Sequence, residues 1–388
     1  MISPSRLLLV PLALTVFLPI SPAQAQKFGK VSVGGVSIAG LDRTAATRRL
    51  TRELAPKLNT RVTLTAGSKK VVRTRRQLGF SLDLGAALAR AGKQNRVPIA
   101  FSVDQKTLSN SLDRLSKTLS SRSQEAVPVL VGKRVLIRRE RPGILVNASQ
   151  SAARVKAQAE KNAAQTRFAL VVNRNAPQIT AARLKGINAI LGTFTTQFNP
   201  GNVKRTRNMR IAIGAINGTL LSPNETFSLN QIVGERTQAR GYRTATIFEG
   251  GRKEPGIGGG VSQVTGTIFN AALVAGLPIE TYQVHSRPVT YLPIGRDATV
   301  SWGNFDMKFK NDTGAPIYVS YKISGSRATA TLFGKRTGRR ASMRVVKKTN
   351  GPRDISAILY RTIRQNGKVV KKERVGSSRY NWKEDNED

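Results

Sequence analysis

His285 is the only histidine in a chain that contains no cysteine. Proton transfer by an unperturbed side chain near neutral pH therefore rests on this one residue. Upstream, Gly258-Gly259-Gly260-Val261-Ser262-Gln263 sets a hydroxyl and a carboxamide directly after a glycine run. Glycine permits tight turns and close backbone approach because it has no Cβ. Val261, Val264, Ile268, Ala272 and Ala275 then recur at steps of three and four, the spacing of one buried helix face. Ser262 thus falls where the loop enters the first helical turn, whose unpaired N–H groups favour negative charge. Two readings stand for it: a nucleophile served by His285 as general base, or a helix N-cap. Asp297 and Asp306 are the candidate orienters of His285, since such constellations are defined by geometry and not by chain order. The same aspartates also suit cation binding or strand-ending turns, and His285 also suits local hydrogen bonding beside Pro288.

Around this centre, Gly259, Gly260 and Gln263 are candidate ligand contacts. Arg207, Arg236, Arg287 and Arg296 can line a site for carboxylates, or simply lie solvated. Glu225 and Glu235 are paired loop carboxylates of the kind used in sugar chemistry, and equally ordinary loop hydrogen-bonders. The glycine run lacks the lysine and spacing of a phosphate-binding loop. Without cysteine there is no thiolate catalysis or thiolate metal site, and one histidine excludes a multi-histidine zinc site. No metal and no cofactor are expected.

The elements that must position these residues follow from the apolar pattern. A basic start, an apolar run from Leu7 to Ile20 and Ala23-Gln24-Ala25 read as a secretory signal peptide over residues 1–25, an uncleaved anchor being the alternative. No later stretch has the length of a membrane span. The 388 residues exceed what one core organises, so several domains are expected. The fold class read from the pattern is α+β and multidomain. A first small α+β module spans 27–95 and a second, diverged copy spans 96–177, with matching hairpin turns at Gly67-Ser68 and Gly132-Lys133. Leu108, Leu112, Leu115 and Leu119 form the cleanest amphipathic helix stripe. A strand-rich α+β domain covers 178–334. A basic extension over 335–388 carries a β-hairpin at Gln365-Asn366-Gly367, and its last residues, 383–388, are expected to fray.

From Phe194 to Asn311 the sequence resembles the VanW family of exported bacterial proteins. The resemblance rests on Phe194-Thr195-Thr196-Gln197-Phe198, Arg207-Asn208, Ile216-Asn217-Gly218, Pro223 to Ser228 with Asn230, Gly234-Glu235-Arg236-Thr237 and Gly241-Tyr242. It continues through Gly258 to Gln263, Asn270-Ala271, His285-Ser286-Arg287-Pro288, Tyr291, Gly295-Arg296-Asp297-Ala298 and Asp306. These matches place Asn208 with the candidate ligand contacts. The two small modules resemble the peptidoglycan-binding domain that often precedes VanW domains, through Val33-Gly34-Gly35-Val36, Gly40-Leu41 and Leu78-Gly79-Phe80. The family implies cell-envelope association and no established reaction. Its pattern usually has cysteine where this chain has Ser262, so any thiol chemistry is not carried over.

The net charge of +42 would attract polyanions. For an exported chain these are envelope polymers rather than nucleic acid, and a generally basic export proteome would need no partner at all. The leading expectation is a periplasmic, wall-associated or extracellular protein that binds peptidoglycan or its stem peptides. An acyl-transfer or amide-cleaving enzyme using Ser262 and His285 is the alternative, and a polyanion-binding protein the second. The sequence leaves the oligomeric state open.

Overall fold

The computed structural model describes residues 26–249 and 252–382. The expected signal peptide and the expected frayed end lie outside the described residues. The chain is mixed α+β and divides into two compact units: described residues 26–122 with 143–175, and 123–142 with 176–382. Among the described residues no helix is long and apolar enough to cross a membrane.

Among the described residues of the first unit each α-helix begins at an Asx side chain that accepts a backbone N–H of its first turn, satisfying one otherwise unpaired donor. Asp42 caps α1 (Arg43–Leu54), Asp83 caps α2 (Leu84–Ala91), Asp104 caps α3 (Gln105–Leu119) and Asn147 caps α4 (Ala148–Lys161). The leucine stripe of α3 is buried along its length. The sheets join segments that the sequence divides between two modules. Strand Arg61–Ala66 pairs antiparallel with Lys69–Thr74 and parallel with Arg167–Ala169, Leu64 facing Phe168. Ser32–Val33 pairs parallel with Arg96–Val97. Leu64, Phe80, Leu112, Val155 and Phe168 share one core. The expected boundary at 95/96 therefore runs through paired strands and a common interior. The physical reason is size: a hairpin with one helix leaves an open edge and an uncovered apolar face.

The hairpin Val127–Val131 with Arg134–Arg138 belongs to the second unit, not with residues 96–122. The Ala126 N–H donates to the Ile179 carbonyl at 2.8 Å, and Glu140 accepts the Ala181 N–H at 2.8 Å. The unit's main sheet has the order Ala189–Gln197, Arg327–Gly334, Ile317–Ser324, Leu220–Leu221. Among the described residues of this unit the α-helices are α5 (Val203–Ile216), the short α6 (Leu229–Val233) and α7 (Val261–Ala275). The sequence pattern gives α7 one buried face, whereas 13 of its residues are buried. A helix enclosed on nearly every side is a central core element. The C-terminal extension forms three long strands rather than a hairpin alone: Arg339–Gly351, Asp354–Gln365 and Lys368–Asn381. Met343, Val345, Leu359 and Val375 of this sheet join the same core as α7.

Candidate functional site

The glycine run ends on α7 by backbone geometry. Gly260 is the N-cap, with φ +100°, and no side chain caps the helix. Ser262 is thus inside the first turn, and its Oγ shares a 3.0 Å hydrogen bond with Thr299 Oγ1. Thr299 in turn donates its N–H to the Gln283 carbonyl at 2.7 Å, in an antiparallel bridge. Two residues along from Gln283 and Thr299 stand His285 and Asp297, and side chains two apart on an extended segment share a face. The Ser262–Thr299 contact therefore lies one step from the His285–Asp297 pair.

That pair is buried and fully formed. Asp297 Oδ2 lies 2.8 Å from His285 Nδ1 and also accepts the His285 backbone N–H at 2.8 Å. Its other oxygen accepts the hydroxyl of Tyr380. Burial alone would raise the Asp297 pKa, but the bonds from His285 and Tyr380 outweigh it and hold the carboxyl below its usual range. The Phe248 ring meets the imidazole edge to face at 5.8 Å, and the Arg287 guanidinium lies over Phe248 at 5.4 Å. No hydrogen bond joins Ser262 Oγ to the imidazole among the described residues.

The other candidates are engaged elsewhere. Asp306 accepts from Ser228 Oγ at 2.6 Å, the Asn230 N–H at 2.9 Å and the Met307 N–H at 2.8 Å, so it anchors the start of α6. Gln263 uses its whole carboxamide internally: Nε2 donates to Thr196 Oγ1 and the Gln197 carbonyl, and Oε1 accepts from Arg205 at 2.6 Å. Buried Asn208 clamps the Arg243 backbone on both sides and also donates to the Gly259 carbonyl at 3.0 Å. Arg207 donates to the Gly241 carbonyl, Arg236 to Asn230 Oδ1, and Glu225 accepts the Ser222 N–H in a turn. Arg296 exchanges bonds with Asn270 and lies over Phe194 at 5.1 Å. The structure thus pairs His285 with Asp297, sets Arg287 over Phe248 beside them and Ser262 against Thr299, and uses Asp306, Asn208, Glu225, Arg207 and Arg236 to hold loops. Thr299, Phe248 and Tyr380 are missed by sequence reasoning. Alternation around Ala298 gives some signal for Thr299, while Tyr380 has only its place on a basic strand.

Two surface cavities, of about 670 Å³ beside Arg210, Asn217 and Lys322 and about 200 Å³ beside Asp312, Arg339 and Arg361, lie away from these residues. Among the described residues no cluster of three or more histidine, aspartate or glutamate side chains can hold a metal ion.

Six phenols are held above their usual pKa by burial, Tyr242 and Tyr318 among them. Tyr282 is pushed up to about 12, and Tyr291, Tyr321 and Tyr380 are also raised, chiefly by burial. A folded pKa above the unfolded value of about 10 gives stability that is whole below pH ~10 and lost as pH rises through the folded value. Alkaline titration followed at 295 nm is expected to show tyrosine ionisation and loss of near-UV dichroism together above pH ~10. Smooth ionisation of every tyrosine with dichroism retained would contradict this placement of the rings.

Residues 204–333 match a family model described as VanW like protein. Over 143 residues, 37% of this chain and 47% of the relative, the sequence is 45% identical to the uncharacterized protein YoaR of Bacillus subtilis (strain 168). Over 131 residues, 32% of this chain and 48% of the relative, it is 27% identical to the vancomycin B-type resistance protein VanW of Enterococcus faecalis (strain ATCC 700802 / V583). The chain spans about half the length of the curated relatives it matches. No solved structure matches it significantly. The helix that carries Ser262 and the His285–Asp297 pair therefore lie within a stretch, residues 204–333, that is similar to the VanW-like domain.

Proposed function

We propose that this chain is an exported cell-envelope protein that binds peptidoglycan or its stem peptides, with the polar cluster of Ser262, Thr299, His285 and Arg287 as its contact region. Support for the setting comes from the VanW-like domain and from the relative named for vancomycin resistance. A net charge of +42 suits an anionic polymer. The observation that carries binding over catalysis is the bond from Ser262 Oγ to Thr299, which leaves the hydroxyl without a base. A serine hydroxyl does not ionise near neutral pH and depends wholly on such a base.

One observation favours a second reading. His285 is already oriented by Asp297, as a general base for acyl transfer or amide cleavage would be.

One incubation tests both. With purified peptidoglycan sacculi at low ionic strength the protein is expected to pellet, and to be released as salt screens the charge. Failure to co-sediment at low salt sinks the binding reading. Muropeptide profiles from the same mixture are expected to stay unchanged. New products that vanish in His285→Ala would replace binding by catalysis as the function.

A further inference from the structure

The last partner of the His285–Asp297 pair comes from a strand that the family match does not reach. Tyr380 is fully buried in Lys368–Asn381, whereas the match ends at residue 333. Its oxygen receives the Gly295 N–H at 2.7 Å, and its hydroxyl meets Asp297 Oδ1. Elementary donor and acceptor rules then assign every proton in the cluster. A backbone N–H only donates, so the Tyr380 oxygen accepts from Gly295 and its single proton is left for Asp297. Burial, with the adjacent carboxylate charge, keeps that phenol protonated. The His285 backbone N–H likewise donates to Oδ2. With both oxygens accepting, and with these bonds holding its pKa below the usual range, Asp297 is an ionised carboxylate and has no proton to offer. His285 Nδ1, 2.8 Å from Oδ2, must carry the proton itself. In a neutral imidazole Nε2 is then a lone-pair acceptor. It has no hydrogen-bond partner among the described residues, yet it is not among the sealed polar atoms left unsatisfied, which are Arg75 Nε and the Tyr242 hydroxyl.

We propose that Tyr380 is a positioning residue of the site: through Asp297 it fixes His285 as the Nδ1–H tautomer, leaving Nε2 to accept a hydroxyl or amide N–H from a bound ligand. The C-terminal sheet is by this arrangement a working part of the site and not an appendage to it. Only the identity of the ligand rests on the proposed peptidoglycan-binding function; the tautomer and its control by Tyr380 stand without it.

The groups that face the imidazole come from several segments. Asp297 and Tyr380 touch the pair directly, and Tyr282 and Tyr291 feel the Asp297 charge. Arg287 lies across Phe248, while Arg205 and Arg374 stand beside Tyr291 and Tyr282. In Tyr380→Phe the carboxylate loses a donor and becomes more basic, so it stabilises the imidazolium more strongly. In Asp297→Asn the negative charge is gone and the opposite shift follows.

Because the chain has one histidine, imidazole ¹⁵N NMR of the full chain gives a single titrating spin system with no assignment problem. The wild type is expected to show the Nδ1–H signature at neutral pH. Tyr380→Phe should raise the titration midpoint by about half a unit or more, and Asp297→Asn should lower it by about a unit or more. A purely structural role for Tyr380 would change thermal stability and leave the midpoint of the folded protein alone. Should Tyr380→Phe fail to fold, 3-fluorotyrosine labelling supplies the second arm, since the stronger phenol donor should lower the midpoint. An Nε2–H wild type, an unmoved midpoint in folded Tyr380→Phe, or an unmoved midpoint after fluorination overturns the proposal. No sacculi enter this experiment, so its failure is distinct from failure of the binding reading.

Discussion

Arg361→Met is expected to lower the unfolding free energy of the second unit by about 3–5 kcal/mol, the range for breaking a buried, hydrogen-bonded ion pair from one side. The Arg361 side chain is 3% exposed and pairs with Glu373 Oε1 through Nε at 2.7 Å and Nη2 at 2.5 Å. The two residues face one another across adjacent antiparallel strands of the C-terminal sheet. Nη1 reaches past them to the Leu277 carbonyl at 2.8 Å, with the Leu273 carbonyl at 3.5 Å. Those carbonyls lie at the C-terminal end of α7, where unpaired C=O groups carry the negative pole of the helix. One guanidinium thus satisfies a carboxylate, a helix end and a strand junction together. Methionine fills the volume but leaves Glu373 to Lys371 Nζ alone, 2.7 Å from Oε2, and sets the Leu277 carbonyl against an apolar tip. A double-mutant cycle with Glu373→Met makes the argument sharper: the pair together should cost clearly less than the sum of the singles, because the double variant buries no orphaned charge. Denaturant melts supply the numbers. A loss under about 1 kcal/mol for Arg361→Met would place the guanidinium in water, as for an exposed pair.

What the sequence showed and hid divides along physical lines. Local signals were legible: Asp42, Asp104 and Asn147 precede helices they cap, the leucines of α3 are all buried, and the turns at Gly67 and Gly132 close hairpins. Each of these depends on residues close in the chain. Long-range pairing was not legible. Nothing local to Arg61–Ala66 announces Arg167–Ala169 as its parallel neighbour, so two interleaved halves read as two copies. At the candidate site the same division holds. His285 and Asp297 stand a short span apart and pair across one bridge, whereas Tyr380 arrives from the far end of the chain. Polar type was also misleading in one respect: Gln263 and Asn208, chosen as ligand contacts, spend their amides on backbone and on each other's neighbourhood. Buried amides are hydrogen-bonded whatever their purpose, so residue type alone does not separate a binding group from a clamp.

The glycine run itself gives the second large expectation, because Gly259→Ala tests whether those glycines receive a ligand or receive the protein's own backbone. A Cβ on Gly259 would lie 2.5 Å from the Thr246 carbonyl oxygen and 2.9 Å from that of Ala245. Both are strand backbone, which has no free end to swing aside. The Gly259 carbonyl is meanwhile held by Asn208, so the loop cannot retreat without giving up that buried bond. Overpacking against fixed backbone of this kind is expected to cost about 2–4 kcal/mol, seen as a lower denaturant midpoint for the second unit. Gly214→Ala is the matched control. Gly214 lies within α5, and a Cβ there meets nothing within 4 Å. The same added methyl should be neutral or stabilise by up to about 1 kcal/mol, since alanine is the better helix former. A ligand-facing Gly259 would behave otherwise: stability would match the wild type while sacculus binding fell. Opposite signs for the two substitutions would assign the run beside Ser262 to packing. Recognition would then fall to Ser262, Thr299, His285 and Arg287, the side chains that the tight approach of Gly259 to Thr244–Glu249 helps to gather.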